Sequence, residues 1–481
     1  MSDRTFKQKA KSGMFWSFMI QGGNQIINFI VSVILARLLL PSEFGLIGMI
    51  AVFIVISKSL VDGGFSSSLI RAKNVDNEDY STVFFINIIS SVLLYAILFF
   101  TAPYVAQFYD ESILIDLIRV LGLILLVNSF SIVQSTKLNK TLDFKTQFKL
   151  QLPALILSAV ISIGMANNGY GVWSLVVRDL SYAIFATVQL WFYSKWTPSF
   201  VINKNKLKHH FNFGYKLSLT QIINTLFDNL YKVIIGKYFS ATQLGFYTRA
   251  KSLVDMPSGF FVSAFNRVAY PMLSSIGNDQ NKLKSVYSRL MKMLVFVITP
   301  ILIFLGVIAE PLINWLLTEK WLPAVPYFQL LLISGLVFPI QKYNLNICNV
   351  NGRSDLVLKF SMIENFLLLI GAFSAIWFGI YGLLFSLLIV KIVVTIITAF
   401  FSGRLINYGL FSQSKDLYPS FLIGGISGLI VFLVNAFVLL QCMDSLRIVI
   451  SGITYFAIYI TISLITKVET ISDIKNLIRK A

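Results

Sequence analysis

Long apolar stretches alternate with short polar connections along almost the whole chain. Fourteen stretches reach the roughly 20 residues that an α-helix needs to cross the hydrocarbon core of a membrane. They span residues 14–36, 45–63, 81–101, 113–134, 148–166, 171–193, 213–235, 245–266, 290–309, 324–344, 356–378, 382–402, 418–440 and 446–466. The pattern therefore predicts an all-α, polytopic membrane protein with about fourteen transmembrane helices.

Composition supports this interpretation. Hydrophobic residues make up 56% of the 481 residues and charged residues 13%, and the mean hydropathy is +0.75. These values lie far from those of soluble domains. A net charge of +18 would suggest nucleic-acid binding in a soluble chain, but here Lys and Arg are concentrated in the short connections. We therefore attribute the charge to membrane orientation and predict no nucleic-acid partner.

The distribution of basic residues predicts how the chain is oriented. An even number of spans places both termini on one side. The basic residues on the opposite side are few: Arg37, Lys237, Lys320 and Arg447. Because basic connections remain in the cytoplasm, both termini are predicted to be cytoplasmic. The connections on the outer side are too short to form a catalytic domain, and Trp315 and Trp321 within them suit an interfacial aromatic belt.

An internal repeat organises the sequence. Residues 34–45 (ILARLLLPSEFG) match residues 234–245 (IIGKYFSATQLG) without a gap at a spacing of 200 residues, so that Gly45 falls on Gly245. A second similarity places Tyr170-Gly171 on Tyr381-Gly382 at a spacing of 211 residues.

The polar linker 195–210 is where two copies of six helices would be joined. Both copies would begin on the cytoplasmic side, which makes the repeats parallel. We predict an N-terminal lobe over residues 1–203 and a C-terminal lobe over 204–403. Two further helices and a cytoplasmic tail would occupy residues 404–481.

Several charged residues interrupt the predicted spans, where charge is costly and tends to face a partner or a watery cavity. Lys58 and Asp62 are four residues apart and can pair on one helix face, and Asp228 and Lys232 repeat this spacing. Arg178 and Asp179 are adjacent, so we do not expect them to face each other. Internal neutralisation and a cavity that accepts an anionic group both remain open for these residues.

The second half contains a surplus of positive charge in one span. Arg249 and Lys251 have only Asp255 as a nearby acid. Glu364 is a lone acid in its span, and it can either pair with Lys391 across helices or bind a coupling ion or proton. A lipid diphosphate has the negative charge that would match the basic residues.

Four segments carry a family resemblance: 37–45 (RLLLPSEFG), 136–145 (TKLNKTLDFK), 244–260 (LGFYTRAKSLVDMPSGF) and 349–355 (NVNGRSD). In their order and spacing they resemble the polysaccharide flippase branch, which includes O-antigen and exopolysaccharide transporters, of the multidrug/oligosaccharidyl-lipid/polysaccharide exporter superfamily. The connection at 136–145 departs from the family in carrying lysines instead of arginines, and lysine attracts phosphate only as a point charge.

The resemblance implies a multi-pass protein of the bacterial inner membrane that flips an undecaprenyl-diphosphate-linked oligosaccharide from the cytoplasmic to the outer leaflet by alternating access. Membrane lipids and other polysaccharide-assembly proteins are the further partners implied. The predicted substrate-binding residues are Lys58, Arg178, Lys232, Arg249 and Lys251. The residues predicted to serve ion coupling or charge pairing are Asp62, Asp228, Asp255, Glu364 and Lys391.

Two other hypotheses remain. One is a multidrug cation antiporter of the same fold, which would favour acidic over basic residues in the spans. The other is a membrane glycosyltransferase or polymerase. His209 and His210 are the chain's two histidines and are expected in a solvated loop, and the chain has neither metal-ligand spacing nor a glycine-rich nucleotide loop. We therefore predict no enzymatic activity, metal or cofactor.

Overall fold

The computed structural model describes residues 3–277 and 279–472, and every regular element in these residues is helical. In chain order the α-helices are α1 (Asp3–Leu38), α2 (Pro41–Asp62), α3 (Phe65–Arg71), α4 (Asn77–Tyr109), α5 (Leu114–Ser129), α6 (Ile132–Lys140), α7 (Phe144–Asn167), α8 (Trp173–Tyr193), α9 (Lys204–Tyr238), α10 (Ala241–Ser274), α11 (Gln280–Val307), α12 (Ala309–Leu317), α13 (Val325–Val350), α14 (Ser354–Ala375), α15 (Gly379–Leu405), α16 (Leu410–Phe437) and α17 (Asp444–Ile465). Short 3₁₀ turns occupy Glu319–Ala324 and Ile376–Phe378.

All fourteen predicted spans overlap helices of the structure, and the all-α, polytopic prediction is confirmed. The span predicted at 113–134 is not one straight helix, because α5 and α6 are bent by 48°. Within the described residues, nine helical segments are long and apolar enough to cross a membrane, or ten if α5 and α6 form one span. One of the nine, Ser354–Leu405, contains two predicted spans. The number fourteen and the side of the termini stay predictions.

The chain divides into two compact units, Met1–Gly245 and Phe246–Ala481. In the first unit, Val31 and Leu35 of α1 pack with Ala159 of α7 and Leu175 of α8 in an apolar core. Helix α9 packs along α2 and also contacts α3 and α4. The first compact unit thus extends beyond residue 203 to include α9, and the lobe boundaries based on the repeat stay a prediction.

The positions where helices end and begin follow the 200-residue repeat. Helices α1 and α9 end at Leu38 and Tyr238, and α2 and α10 begin at Pro41 and Ala241.

The two glycines of the repeat make reciprocal contacts within the first unit. A Cβ at Gly45 would overlap the carbonyl oxygen of Ala241, and a Cβ at Gly245 would overlap the carbonyl oxygen of Pro41. Glycine at both positions therefore permits the starts of α2 and α10 to approach at backbone distance.

The similarity of residues 170–171 to residues 381–382 does not extend to the positions where the helices begin. Gly171 lies with φ of +53° in the turn before α8, whereas Gly382 lies inside the first turn of α15.

In the second unit, α11, α16 and α17 share an apolar cluster that includes Phe296, Val431 and Tyr455. A buried polar contact joins α11 to two other helices of this unit. The side-chain oxygen of Asn344 accepts hydrogen bonds from the hydroxyls of Tyr287, at 2.8 Å, and Ser402, at 2.6 Å. This contact fixes α11, α13 and α15 relative to one another.

Candidate functional site

A polar pocket of about 320 Å³ lies in the first unit, between the end of α2, the start of α3 and the bend between α5 and α6. Helices α2 and α5 are predominantly apolar, so the pocket places polar groups among apolar helices. The lining residues are Lys58, Val61, Asp62, Ser66, Leu125, Asn128, Ser131, Ile132, Ser135, Thr136 and Asn139. Three of these side chains are apolar.

A tight turn between α2 and α3 shapes one wall of the pocket. Gly63 and Gly64 adopt φ of +53° and +75°, a region that strongly favours glycine. The turn brings Ser66 back to Asp62, so that the backbone N–H of Ser66 donates to Oδ1 of Asp62 at 3.3 Å and the Ser66 hydroxyl also contacts this carboxylate. The Thr136 hydroxyl of α6 in turn donates to Oγ of Ser66 at 3.1 Å. Asp62 is thereby held in place by α3 and α6.

The pairing expected between Lys58 and Asp62 does not form. Among the described residues, the Lys58 ammonium has no ion pair or hydrogen bond, although the charge of Asp179 acts on it. Its side chain is exposed at the pocket. A positive charge is therefore available at the pocket wall, with Asp62 engaged by Ser66 instead.

Arg178 and Asp179 form an ion pair, so the expectation that they would not interact is wrong. Nε of Arg178 lies 3.3 Å from Oδ1 of Asp179, both on α8. Neighbouring positions point in different directions from the helix axis, but the long arginine side chain can fold back to reach an adjacent carboxylate.

Helix α9 contains the second predicted pair. The Lys232 ammonium donates to Oδ1 of Asn229 at 2.9 Å, and the side chain of Lys232 is partly buried. Asp228, one turn earlier, is exposed. This helix thus presents a lysine and a carboxylate along a segment that packs on α2.

Arg249 of α10 is buried at 7% exposure, and the centre of its guanidinium lies 5.6 Å from the ring centroid of Trp321. Trp321 itself is fully buried, which contradicts its predicted place in an interfacial belt, whereas Trp315 is half exposed. Lys251 forms an ion pair with Asp255 one turn later, at 3.1 Å, and both side chains remain accessible.

Glu364 and Lys391 form an ion pair between α14 and α15. Nε2 of Gln341 on α13 also donates to Oε2 of Glu364 at 2.7 Å. Of the alternatives left open for Glu364, pairing with Lys391 is therefore the one present in this structure. Its carboxylate has both oxygens engaged.

His210 does not lie in a solvated loop as expected, because α9 begins at Lys204 and includes it. The His210 ring is 1% exposed. Its Nδ1 lies 2.8 Å from Oγ of Ser68, and its Nε2 lies 3.2 Å from Oδ1 of Asp79. Burial lowers the pKa of His210 from its ordinary value, with Asp79 acting in the opposite direction.

An acidic cluster at the start of α4 includes Asp79, which contacts this histidine. The Lys206 ammonium pairs with Asp76, and it lies 3.4 Å from carboxylate oxygens of both Glu78 and Asp79. The hydrogen bond from Lys206 lowers the pKa of Asp76 to about 2. Sequence reasoning missed this cluster, although Asp76 followed by Asp79 is the spacing of an N-terminal capping box, which the structure contains.

The basic connection at 136–145 is largely engaged within the first unit. The Lys140 ammonium donates to the carbonyl oxygens of Leu69 and Ala72, at 2.8 and 2.6 Å. Lys137 lies over the rings of Tyr80 and Trp196, 4.9 and 5.3 Å from their centroids. Both lysines thus stabilise the junction of α3, α4 and α6.

Comparison with known proteins identifies the family. The sequence signature described as polysaccharide biosynthesis protein matches residues 34–326. The chain belongs to this family. The teichuronic acid biosynthesis protein TuaB of Bacillus subtilis is 27% identical over 88% of both chains. The succinoglycan biosynthesis transport protein ExoT of Rhizobium meliloti is 24% identical over 68% of this chain and 67% of its own.

The fold is that of a known transporter class. The lipid II flippase MurJ, solved in an inward closed conformation, matches 94% of this chain and 99% of its own with a TM-score of 0.75 at 13% identity. The resemblance to the polysaccharide flippase branch of the exporter superfamily is confirmed. This protein is therefore a multi-pass transporter of the bacterial inner membrane, and it serves polysaccharide synthesis.

Proposed function

We propose that this protein flips an undecaprenyl-diphosphate-linked oligosaccharide from the cytoplasmic to the outer leaflet by alternating access. The relatives named for teichuronic acid biosynthesis and succinoglycan transport support a saccharide cargo. The fold shared with a lipid II flippase is consistent with a cargo that stays attached to a lipid. Membrane lipids surround the cargo during transfer, and other polysaccharide-assembly proteins are the expected suppliers and acceptors.

The observation that supports this proposal most directly is the charged pocket among apolar helices. Insertion scales assign a cost of about 2.5–3.5 kcal/mol to a charged residue at the centre of a membrane helix, so such residues serve a partner or a polar path. Lys58 has no ion-pair partner among the described residues and is exposed at the pocket. A polar path for a hydrophilic cargo accounts for this arrangement.

The five cationic residues proposed to contact the headgroup have different surroundings. Arg178 and Lys251 are paired with neighbouring acids, and Arg249 is buried against Trp321. The Lys232 ammonium donates to Asn229 on α9, and Lys58 lies on the adjacent helix α2, exposed at the pocket wall. We propose that Lys232 contacts the diphosphate early in transport, that Lys58 lines the path of the attached saccharide, and that Arg178, Arg249 and Lys251 contribute in other stages.

The proposal includes no chemical step. The oligosaccharide and its diphosphate linkage would leave the protein unaltered, with only their leaflet changed. We accordingly propose a transporter and not a glycosyltransferase or polymerase, and this distinction can be measured by mass.

The test uses the full protein reconstituted in vesicles that contain labelled polyprenyl-diphosphate saccharide from the native assembly pathway. We expect the labelled saccharide to become accessible from the opposite leaflet while its mass stays the same. Lys232→Ala should slow this transfer at least tenfold without reducing the amount of folded protein, because it removes a cation from the proposed path. Lys282→Ala, at an exposed position on α11, is the matched control and should transfer normally.

A change in the mass of the saccharide would indicate an enzyme and overturn the proposal. Transfer of small cationic drugs in place of the saccharide would favour a multidrug antiporter. Normal transfer by Lys232→Ala would remove this residue from the headgroup path.

A further inference from the structure

The pocket between α2, α3 and the α5–α6 bend has hydrogen-bonding capacity that the protein itself does not use. In the described part of the chain, the Lys58 ammonium, the Asn128 carboxamide and the Ser135 hydroxyl have no hydrogen-bond partner. Asp62 uses Oδ1 for Ser66, and its other carboxylate oxygen has no donor among the residues that the structure describes. The pocket therefore offers both donors and acceptors to an incoming ligand.

The charge of the pocket is balanced. Among the described residues that line it, Lys58 is the single cation and Asp62 the single anion. The two lysines of α6 that could have added positive charge are engaged elsewhere, since Lys140 donates to the end of α3 and Lys137 lies over aromatic rings. A diphosphate is usually bound by several cations or by the paired donors of arginine, and this lining provides neither.

The hydroxyl groups of a sugar fit this lining better than a diphosphate does. A sugar hydroxyl donates one hydrogen bond and accepts others, so it can satisfy a carboxylate, a carboxamide, a serine hydroxyl and an ammonium at the same time. Val61, Leu125 and Ile132 complete the wall with apolar atoms, which suit the C–H face of a ring. The volume of about 320 Å³ lies at the lower end of the range of ligand pockets, about 300–1,000 Å³, and suits a ring-sized group.

We propose that this pocket is a saccharide subsite, which binds one sugar ring of the lipid-linked cargo while the diphosphate is held elsewhere. The inference rests on the proposed function for the identity of the cargo, but it concerns a different part of that cargo. In this arrangement Asp62 and Asn128 bind ring hydroxyls from two sides, and the Thr136–Ser66–Asp62 chain of hydrogen bonds fixes the orientation of the carboxylate.

The test measures protection of an introduced thiol in the full protein in lipid nanodiscs. Ser135→Cys places a thiol in the pocket wall, and the rate of its alkylation by a maleimide is measured with and without a probe. The native Cys442 is exposed and serves as an internal reference, whereas Cys348 is buried. The probes are methyl glycosides of neutral, N-acetylated and acidic hexoses, and inorganic pyrophosphate.

We expect at least one methyl glycoside to slow alkylation of Ser135→Cys severalfold, and pyrophosphate to have no effect. The protection should disappear when Asn128→Ala is added, because this change removes a ligand of the ring. Ser67→Cys is the matched control, since Ser67 neighbours Ser66 but is exposed outside the lining, and glycosides should not protect it.

Protection by pyrophosphate but by none of the glycosides would overturn the inference and indicate a phosphate site. Absence of protection by every probe, or equal protection of Ser67→Cys, would also overturn it. Because lipid transfer is measured separately in vesicles, normal transfer combined with absent glycoside protection would refute the subsite while leaving the proposed function intact.

Discussion

The two copies of the repeat, α1–α2 and α9–α10, have the same backbone plan but different chemistry. Their helices end and begin at positions exactly 200 residues apart, and Gly45 and Gly245 occupy the same place in each. Each glycine lies against the first residue of the other copy's second helix, so the contact is reciprocal.

The charged residues do not follow the repeat. Lys58 and Asp62 of α2 correspond, 200 residues later, to Ser258 and Val262 of α10. In the other direction, the positions of α2 that correspond to Arg249, Lys251 and Asp255 are occupied by uncharged residues: Met49, Ala51 and Val55. The backbone contact and the charges therefore lie at different positions of the repeat.

This difference shows how to interpret charge within a membrane span. The charges of α10 are neutralised or covered, since Lys251 pairs with Asp255 and Arg249 packs on Trp321. The charge of Lys58 on α2 faces a pocket without an ion-pair partner in the described residues. The presence of charge in a span is thus a weak indication of function until its partners are known.

The largest expected effect is on the free energy of unfolding, at the glycines that the two copies share. Gly45→Ala and Gly245→Ala would each place a Cβ on the carbonyl oxygen of the other helix. Backbone atoms cannot move aside as a flexible side chain can, so we expect each change to reduce the free energy of unfolding by about 3 kcal/mol or more. Denaturant unfolding in detergent, together with the yield of folded protein, measures this loss.

Gly164→Ala is the matched control, because a Cβ there meets no atom within 4 Å and the residue lies inside α7. Alanine should be neutral or stabilising by about 0.5–1 kcal/mol at such a helical position. Wild-type stability in Gly45→Ala or Gly245→Ala would show that the close helix contact is not formed in the membrane.

A smaller effect, on transport, is expected at a position where the two copies carry different residues. Lys58→Ser gives α2 the residue that α10 has at the corresponding position. We expect transport to fall at least tenfold, equivalent to about 1.4 kcal/mol, because the pocket loses its cation. The free energy of unfolding should change by no more than about 0.5 kcal/mol, since Lys58 has no ion pair to lose in the described structure.

Ser258→Ala provides the reciprocal measurement at the corresponding position of α10. Ser258 is 3% exposed, and its hydroxyl has no hydrogen-bond partner in the described part of the chain. Transport should therefore remain normal. Equal losses of transport in Lys58→Ser and Ser258→Ala would remove the functional distinction between the two helices.

The smallest effect concerns the start of α9, where His210 stands at the position of Ala10 in the first copy. Burial lowers the pKa of His210, so the unfolded chain binds a proton at a higher pH than the folded chain does. The free energy of unfolding should consequently decrease as the pH falls through the ordinary histidine pKa of about 6.5. Unfolding measured across this range should show a weaker decrease for His210→Gln.

His209→Gln is the control, because His209 is exposed on the same helix. It should retain most of the pH dependence of the native protein, because burial lowers the pKa of His210 more than the charge of His209 does. If His210→Gln kept the full decrease below pH 6.5, the buried imidazole would not be its source.

The helical segments and the repeat were predictable because they depend on patterns that are continuous in the sequence. Apolar runs of membrane length predicted segments that each overlap a helix of the structure, and the match of 34–45 to 234–245 located the turn between paired helices. The bend between α5 and α6 was not predicted, because the apolar run continues across it.

The partners of the charged residues were predictable only where helical spacing decides them. Lys251 and Asp255 are four residues apart and do pair. Lys58 and Asp62 have the same spacing and do not, because the glycine turn after α2 brings Ser66 to the carboxylate. Likewise, Ser68 and Asp79 reach His210 from α3 and α4, elements far from it in the sequence.

By itself, the sequence determined that this protein is a helical membrane protein with a repeated helix pair, because hydrophobic length and local spacing are sufficient for both. Tertiary structure decided which charges are neutralised and which face the pocket, because each charge interacts with whatever group the packing of distant helices brings within a few ångströms. Lys391 was paired with Glu364 in this way, and Lys58 was exposed to a pocket that four separate helices enclose.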